Sequence, residues 1–417
     1  MQQPNGRRVV ITGMSAITPI GNTVADFWQA CLEGRSGIAE ITQFDASSYP
    51  AHIAGEVKGF DPEDHMDHRD ARRTARFSQF AVAGAQQAFS QSGLRLQDED
   101  LTRIGVVLGV GIGGLPNVDE GVRTVVEKGG MRLDPLFFPK MLPNMAATRL
   151  ALTYGLKGYN NTATTACAAG TQAIGDAMEI IRHGRADVML TGGAEAAISE
   201  LGLCGFAVMR ALSTQNDQPE KASRPFDAKR DGFLASEGAG IFVMESLEHA
   251  QARGATILAE VAGYAANNDA FHIVQPCADG DGAIRCMELA LADAGVMPEE
   301  IDYINAHGTS TPLNDAAETA AIKKVFGEFA YRIPISSTKS MIGHGFGAAG
   351  AMECVAAIKT LETGWLHPTI NYEYPDPDCD LDYVPNKPRQ AQVNLTLKNS
   401  FGFGGQNACL VLRRFPD

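Results

Sequence analysis

Two segments of this 417-residue chain carry one pattern. Residues 168–184 read AAGTQAIGDAMEIIRHG and residues 348–364 read AAGAMECVAAIKTLETG; both open Ala-Ala-Gly and close on glycine sixteen positions later. Each spells a buried helix entered by small residues and stopped by a C-terminal glycine. A second echo points the same way: Arg8–Gly13 opens the chain with a strand and a glycine, and Ile257–Gly263 does so again. Internal repetition of this kind predicts two similar units packed together.

The length suits two fused domains of about 200 residues each. The joint is expected near Ala250–Thr256, where AQARGAT ends a helix on a glycine. It divides a half at 1–254 from a half at 255–417. No Pro- or Ser-rich linker stands there, so the halves should pack tightly. Apolar β-rich runs at Arg8–Thr12, Ile104–Leu108, Val188–Thr191, Ile241–Met244, Ile301–Asn305 and Val393–Leu397 alternate with helical stretches such as Phe77–Ser92 and Gly282–Ala294. Continuous apolar runs between helices predict an α/β protein with sheets covered on both faces.

Hydrophobic residues make up 45% of the chain, enough for a large core, and only the polar segment 1–7 reads as loose. The formal charge of −14 argues against a general binder of nucleic acid or anionic membrane. No apolar run is long enough for a transmembrane helix, and no secretory layout precedes the first strand, so the expected location is cytoplasmic. The eight cysteines form no CxxC pair, which argues against a zinc or redox motif and for free thiols.

Cys167 differs from the other seven in its context, NTATTACAAGTQAIGDA. Small and β-branched residues precede it and a helical pattern follows, which puts the sulfur at a strand-to-helix turn. The helix-start N–H groups are expected to lower the thiol pKa and favour the nucleophilic thiolate. His307 lies in YINAHGTSTPLND, where an apolar strand ends in a loop rich in hydroxyls; Thr309 and Thr311 can hydrogen-bond a polar, extended ligand there. His344 lies in STKSMIGHGFGAAGA among glycines, five residues after Lys339. The C-terminal KNSFGFGGQN makes a turn able to present N–H groups, with Phe401 or Phe403 as a movable apolar plug. Two other patterns are discounted. Gly109–Gly114 fits G-x-G-x-x-G, but Pro116 follows too soon for a phosphate-binding helix. Asp64, His65, Asp67 and His68 lie beside Arg69, Arg72 and Arg73, which would repel a cation.

Taken together, TACAAG at 165–170, SRPFDAKRDGFLASEGAG at 223–240, NAHGTSTPLND at 305–315, KSMIGHGFGAAGA at 339–351 and NSFGFGG at 399–405 resemble the β-ketoacyl-acyl-carrier-protein synthases, specifically the elongating type II branch. The resemblance implies a thiolase-like fold of two duplicated halves in an α-β-α-β-α sandwich with mixed sheets. The nucleophile would sit in the first half and both catalytic histidines in the second. It implies a Cys167–His307–His344 triad supported by Lys339, with the N–H groups of Cys167 and Phe403 as oxyanion hole. It further implies a gate at Phe401 and Phe403, an acyl tunnel past Ile112 and Phe137, and contacts from Thr309 and Thr311 to a phosphopantetheine arm. Arg69, Arg72, Arg73 and Arg210 match a basic patch for an acidic acyl carrier protein. Asn305, Glu353, Asn399 and Ser400 resemble a buried structural-cation cluster.

The implied reaction extends an acyl group held on Cys167 by two carbons taken from malonyl-carrier protein with loss of carbon dioxide. It needs no cofactor beyond the carrier's phosphopantetheine. A homodimer is implied, and a heterodimer with a chain-length factor, as in type II polyketide or polyene systems, is the alternative. A non-catalytic chain-length subunit would lack the nucleophile; a degradative thiolase would need a second catalytic cysteine where GFGG stands; an initiating synthase would carry asparagine in place of His344. Val274-Gln275, Gln406 and Gly345-Phe346 depart from the family pattern and bear on acyl-chain and carrier preference.

Overall fold

The computed structural model describes residues 6–277 and 279–416; of the polar segment 1–7, residues 1–5 fall outside these. Ten strands form the main sheet: β1 (Val9–Met14), β2 (Ile104–Gly109), β3 (Asn160–Ala163), β4 (Val188–Glu195), β5 (Gly238–Ser246), β6 (Ala259–Asn268), β7 (Tyr303–Asn305), β8 (Ile335–Ser336), β9 (Leu395–Gly402) and β10 (Gln406–Arg413). Their order is β8-β7-β9-β10-β6-β1-β5-β4-β2-β3. The first five strands occupy one side and the last five the other.

The two sides repeat each other strand for strand. In the first, β2 runs parallel to β3 and β4, while β4–β5 and β5–β1 are antiparallel. In the second, β7 runs parallel to β8 and β9, while β9–β10 and β10–β6 are antiparallel. A short antiparallel pairing, Val10 with Glu260 and Ile11 with Ala259, joins β1 to β6. The two implied sheets are therefore continuous through this edge.

Helices α1 (Arg76–Ser92), α2 (Ala169–Arg182), α3 (Asp281–Ala294), α4 (Pro312–Phe326) and α5 (Ala349–Thr363) complete the layers. The repeated helices α2 and α5 each touch strands of both halves, so they form the central layer; α1 covers β1, β4 and β5 on one outer face, and α3 covers β6 and β10 on the other. The fold is the thiolase-like α-β-α-β-α sandwich. The sequence of α5 accounts for its place. Residues 349–361 are buried save Lys359, so it has no polar face to give to water. Small residues let the central helices approach closely: a Cβ on Gly350 would come within 2.1 Å of Thr171 Oγ1 on α2. The strands beside this layer, β4 and β5, are buried along their whole length, as continuous apolar runs between two helical layers must be.

Candidate active site

The repeat also explains how the cysteine is presented. A single 3₁₀ turn, 166–168, leads from β3 into α2, and the matching turn 346–348 leads into α5. Ala166 and Phe346, 180 positions apart, both hold positive φ, 48° and 46°. One half thus uses this strained turn to expose Cys167, while the other puts Gly347 at the corresponding place.

Cys167 is 8% exposed and opens onto a cavity of about 510 Å³. His307, His344, Thr309, Thr311, Ile112, Phe401, Phe403 and Arg210 line the same cavity. The imidazoles of His307 and His344 stand edge to face with centroids 5.5 Å apart. The backbone N–H groups of Phe403 and of Cys167 itself lie near enough to the sulfur to favour its charged form. The hairpin between β9 and β10 brings Phe403 there, and Gly402 permits it: a Cβ on Gly402 would lie 3.1 Å from Cys167 N and 2.8 Å from Thr165 O.

The expected thiolate is corrected. Burial pushes the Cys167 thiol up to about 11, against the opposing effects of the Lys339 ammonium and the two N–H groups. An apolar cavity removes the water that would solvate the anion, and here that loss exceeds the pull of the helix start. Cys167 therefore rests as the thiol.

Both histidines are held neutral with their protons on Nε2. Burial, followed by the Lys339 charge, keeps each well below the ordinary imidazole value. His344 Nδ1 accepts from Phe346 N–H at 3.2 Å, and His307 Nδ1 faces Lys339 Nζ at 3.3 Å. With each Nδ1 used as an acceptor, each Nε2 carries the hydrogen and is a donor. Lys339, 1% exposed, lies behind the cavity wall; it donates to the His307 carbonyl at 2.7 Å and to Glu353 at 2.5 Å.

Several residues that position the site escaped the sequence reading. Glu318 on α4 accepts the His307 and Gly308 N–H groups at 2.8 Å each, and Asp315 one turn earlier accepts from Thr309 N–H at 3.0 Å. Both carboxylates are fully buried, and burial raises both. Their i, i+3 spacing within PLNDAAETAA puts them on one helix face, a signal available in the sequence. His344 donates its N–H to the Leu234 carbonyl at 2.7 Å and accepts from Ser236 N–H at 2.9 Å, which gives part of the 223–240 motif its purpose. The discounted glycine loop does bind an anion, but an internal one: the N–H groups of Gly111, Ile112 and Gly113, with that of Gly347, converge on the Glu195 carboxylate at 2.7–3.1 Å. Burial nevertheless pushes Glu195 up to about 7.

Other expected residues fall elsewhere. Phe137 does not line the cavity; its ring packs where a Cβ on Gly121 would lie 2.6 Å away, against the helix Leu115–Lys128. Arg69, Arg72 and Arg73 are exposed on the short helix His68–Arg73, apart from the cavity lining that includes Arg210. The cation cluster does not form as a metal site. The Asn305 amide donates to Tyr303 and Thr338, the Asn399 amide donates to Glu318, and the Lys398 ammonium occupies the space between Glu353 and Ser400. A lysine nitrogen amid those oxygens supplies the positive charge that a metal ion would bring.

Fold and site define a class: a thiolase-like protein in which a cysteine from one half and two neutral imidazoles from the other face a single cavity. Within that class the chain belongs to the β-ketoacyl synthase family. It matches that family's N-terminal domain over residues 6–250 and its C-terminal domain over 258–373. It is 49% identical to the 3-oxoacyl-[acyl-carrier-protein] synthase 2 of Coxiella burnetii over 99% of both chains. It is 50% identical to the protein of that name from Synechocystis over 98% of both. Among solved structures it resembles the ishigamide ketosynthase/chain length factor, with a TM-score of 0.92 and 38% identity over 99% of this chain and 100% of the other. It also resembles a type II polyketide ketosynthase in complex with its acyl-carrier protein and bound to the hexaketide, with a TM-score of 0.91 and 39% identity over 98% and 100%.

Proposed function

We propose that the protein is an elongating 3-oxoacyl-[acyl-carrier-protein] synthase in which Cys167, His307 and His344 carry the chemistry. The observation that carries this assignment is the shared cavity, where one sulfur, the N–H groups of Cys167 and Phe403 and two neutral imidazoles meet. Cys167 Sγ bonds the acyl carbonyl carbon, and the C–S bond to the carrier's pantetheine breaks. The leaving sulfur takes up the proton that Cys167 gives up, and the oxyanion formed on the way accepts from the N–H groups of Cys167 and Phe403. Malonyl-carrier protein then enters past Thr309 and Thr311. Its C–C bond to carboxylate breaks, carbon dioxide leaves, and the electron pair forms an enolate whose oxygen accepts from both Nε2–H groups. The enolate carbon attacks acyl-Cys167, the C–S bond breaks with its electron pair on Cys167 Sγ, which takes a proton from solvent to return to the thiol, and a product two carbons longer departs. Neutral imidazoles suit this step because they donate hydrogen bonds without protonating the carbanion.

The roles of Phe401 and Phe403 as gate, Ile112 as tunnel wall and Arg210 as carrier contact belong to the same proposal, as do the 254/255 division of the halves, a homodimeric assembly and a cytoplasmic setting. Arg69, Arg72 and Arg73 would extend the carrier-binding surface beyond the cavity mouth. A partnered synthase with a chain-length factor is the second possibility, favoured by the resemblance to the ishigamide ketosynthase/chain length factor. Mass spectrometry after incubation with acyl-carrier proteins of graded chain length tests both. Acyl mass on Cys167 that Cys167→Ala abolishes supports the assignment; a purified chain that loads only when a second subunit is added supports the partnered form.

A further inference from the structure

Behind the cavity runs a buried chain of charges that the reaction as drawn does not use. Glu353 on α5 holds one ammonium on each carboxylate oxygen: Lys339 Nζ at 2.5 Å and Lys398 Nζ at 2.8 Å. All three side chains are at most 1% exposed. Lys398 Nζ also donates to the Asn399 carbonyl and, at 3.1 Å, to Ser400 Oγ. Ser400 Oγ in turn shares a hydrogen bond of 2.7 Å with Thr171 Oγ1 on α2, four residues after the nucleophile. On its other side Glu353 fixes Lys339, which faces Nδ1 of His307 and holds its carbonyl.

We propose that Lys398 is a built-in counter-cation: its ammonium takes the place of a structural metal ion at Glu353 and Ser400, and through Glu353 and Lys339 it positions His307. Three observations support this. A carboxylate buried in the central layer requires compensation, and a single lysine would leave one oxygen of Glu353 without a charge partner. The lysine arises from β9 itself, one and two residues before the Asn399 and Ser400 oxygens it bonds, so the cation is delivered covalently and cannot be lost by dilution. Finally, the groups it joins lead in two directions, to the turn of Cys167 through Thr171 and to His307 through Lys339. Lys398 touches no reacting atom; it is a positioning residue.

The activity readout rests on the proposed condensing function, but the first measurement does not. The wild-type protein is exchanged from potassium chloride into choline chloride with a chelator at equal ionic strength. Unfolding temperature and condensation rate should stay the same. A fall in either that potassium, sodium or magnesium reverses would show that a metal ion is needed, for example at Asn305 Oδ1, which is buried without a partner among the described residues, and would overturn the proposal. Next, Lys398→Ala should slow condensation on the order of tenfold or more, as misplaced catalytic groups do. Acyl transfer to Cys167, read separately by mass, should fall less. Potassium or sodium, but not choline, should restore part of the rate, because the truncated side chain leaves room for an ion. Lys398→Met fills that room and should not be rescued. Where a single variant fails to fold, the K398M/E353Q double variant, in which Lys339 is the one charge left in this buried chain and can release its proton, should fold with the same condensation defect. A K398A or double variant that condenses at the wild-type rate in choline would overturn the proposal. Failure of wild type to load Cys167 would instead sink the condensing function and leave the cation measurement standing.

Discussion

At the residue scale, the proposed nucleophile works against its own burial. The Cys167 thiol is pushed up to about 11, so its thiolate fraction should rise close to tenfold per pH unit across the neutral range. Alkylation by iodoacetamide, followed by mass at pH 6 to 10, should accelerate throughout that window without a plateau. A rate already flat at pH 7 would mean that the helix start and Lys339 outweigh desolvation. The sequence context did single out this cysteine from eight, because a small-residue strand-to-helix turn is readable as a string. Its protonation was not readable: that depends on how little water reaches the sulfur, and the cavity that decides it is assembled from segments up to 240 positions away.

At the scale of elements, the hairpin and the central helices do their work through missing side chains. Gly402→Ala would press a methyl group onto Thr165 O and Cys167 N, displacing the Phe403 N–H from the sulfur. Turnover should fall by about 100-fold, the usual cost of one lost oxyanion donor, while urea unfolding shifts little. Gly350→Ala places the same methyl between α5 and α2, far from solvent. It should lower stability by about 1–3 kcal/mol in urea unfolding, the cost of overpacking a close helix contact. Of the elements themselves, the long apolar ones were legible: β4, β5, α1 and α3 stand within a few residues of where their patterns put them. The edge strands were not. β3 reads Asn-Asn-Thr-Ala and β8 spans two residues, and both are strands because β2 and β7 offer them parallel hydrogen-bonding partners.

For the whole molecule, buried titrating groups set opposing slopes in pH. Burial lowers His367 to about 4 and holds His307 and His344 well below an ordinary imidazole. The unfolded chain binds those protons near pH 6.5 and the folded chain does not, so their contribution is complete above pH 6.5 and is lost as the pH falls. For His367 alone this amounts to about 3 kcal/mol at its limit. Glu195, pushed up to about 7, has the other sign: the folded chain takes its proton first, so that contribution is present below about pH 4.5 and is lost as pH rises through 7. Thermal unfolding from pH 7.5 to 5 should show a net loss of stability, and Glu195→Gln should steepen it by removing one of the opposing groups. An unchanged slope in that variant would show that Glu195 is already ionised in its ring of N–H groups.

By itself the sequence determined the duplication, the α/β class and the candidate nucleophile with its two histidines, since each is written in short-range pattern: repeated small-residue helices, apolar runs, glycine-bracketed loops. It could not determine that Lys398 stands between Glu353 and Ser400, that a glycine loop cradles Glu195, or that Phe137 stands away from the cavity that Ile112 lines. Those outcomes depend on which polar groups meet when two sheets close on a shared helical layer. Burial makes each such meeting costly unless it is satisfied, and only the assembled three-dimensional structure says which partner satisfies it.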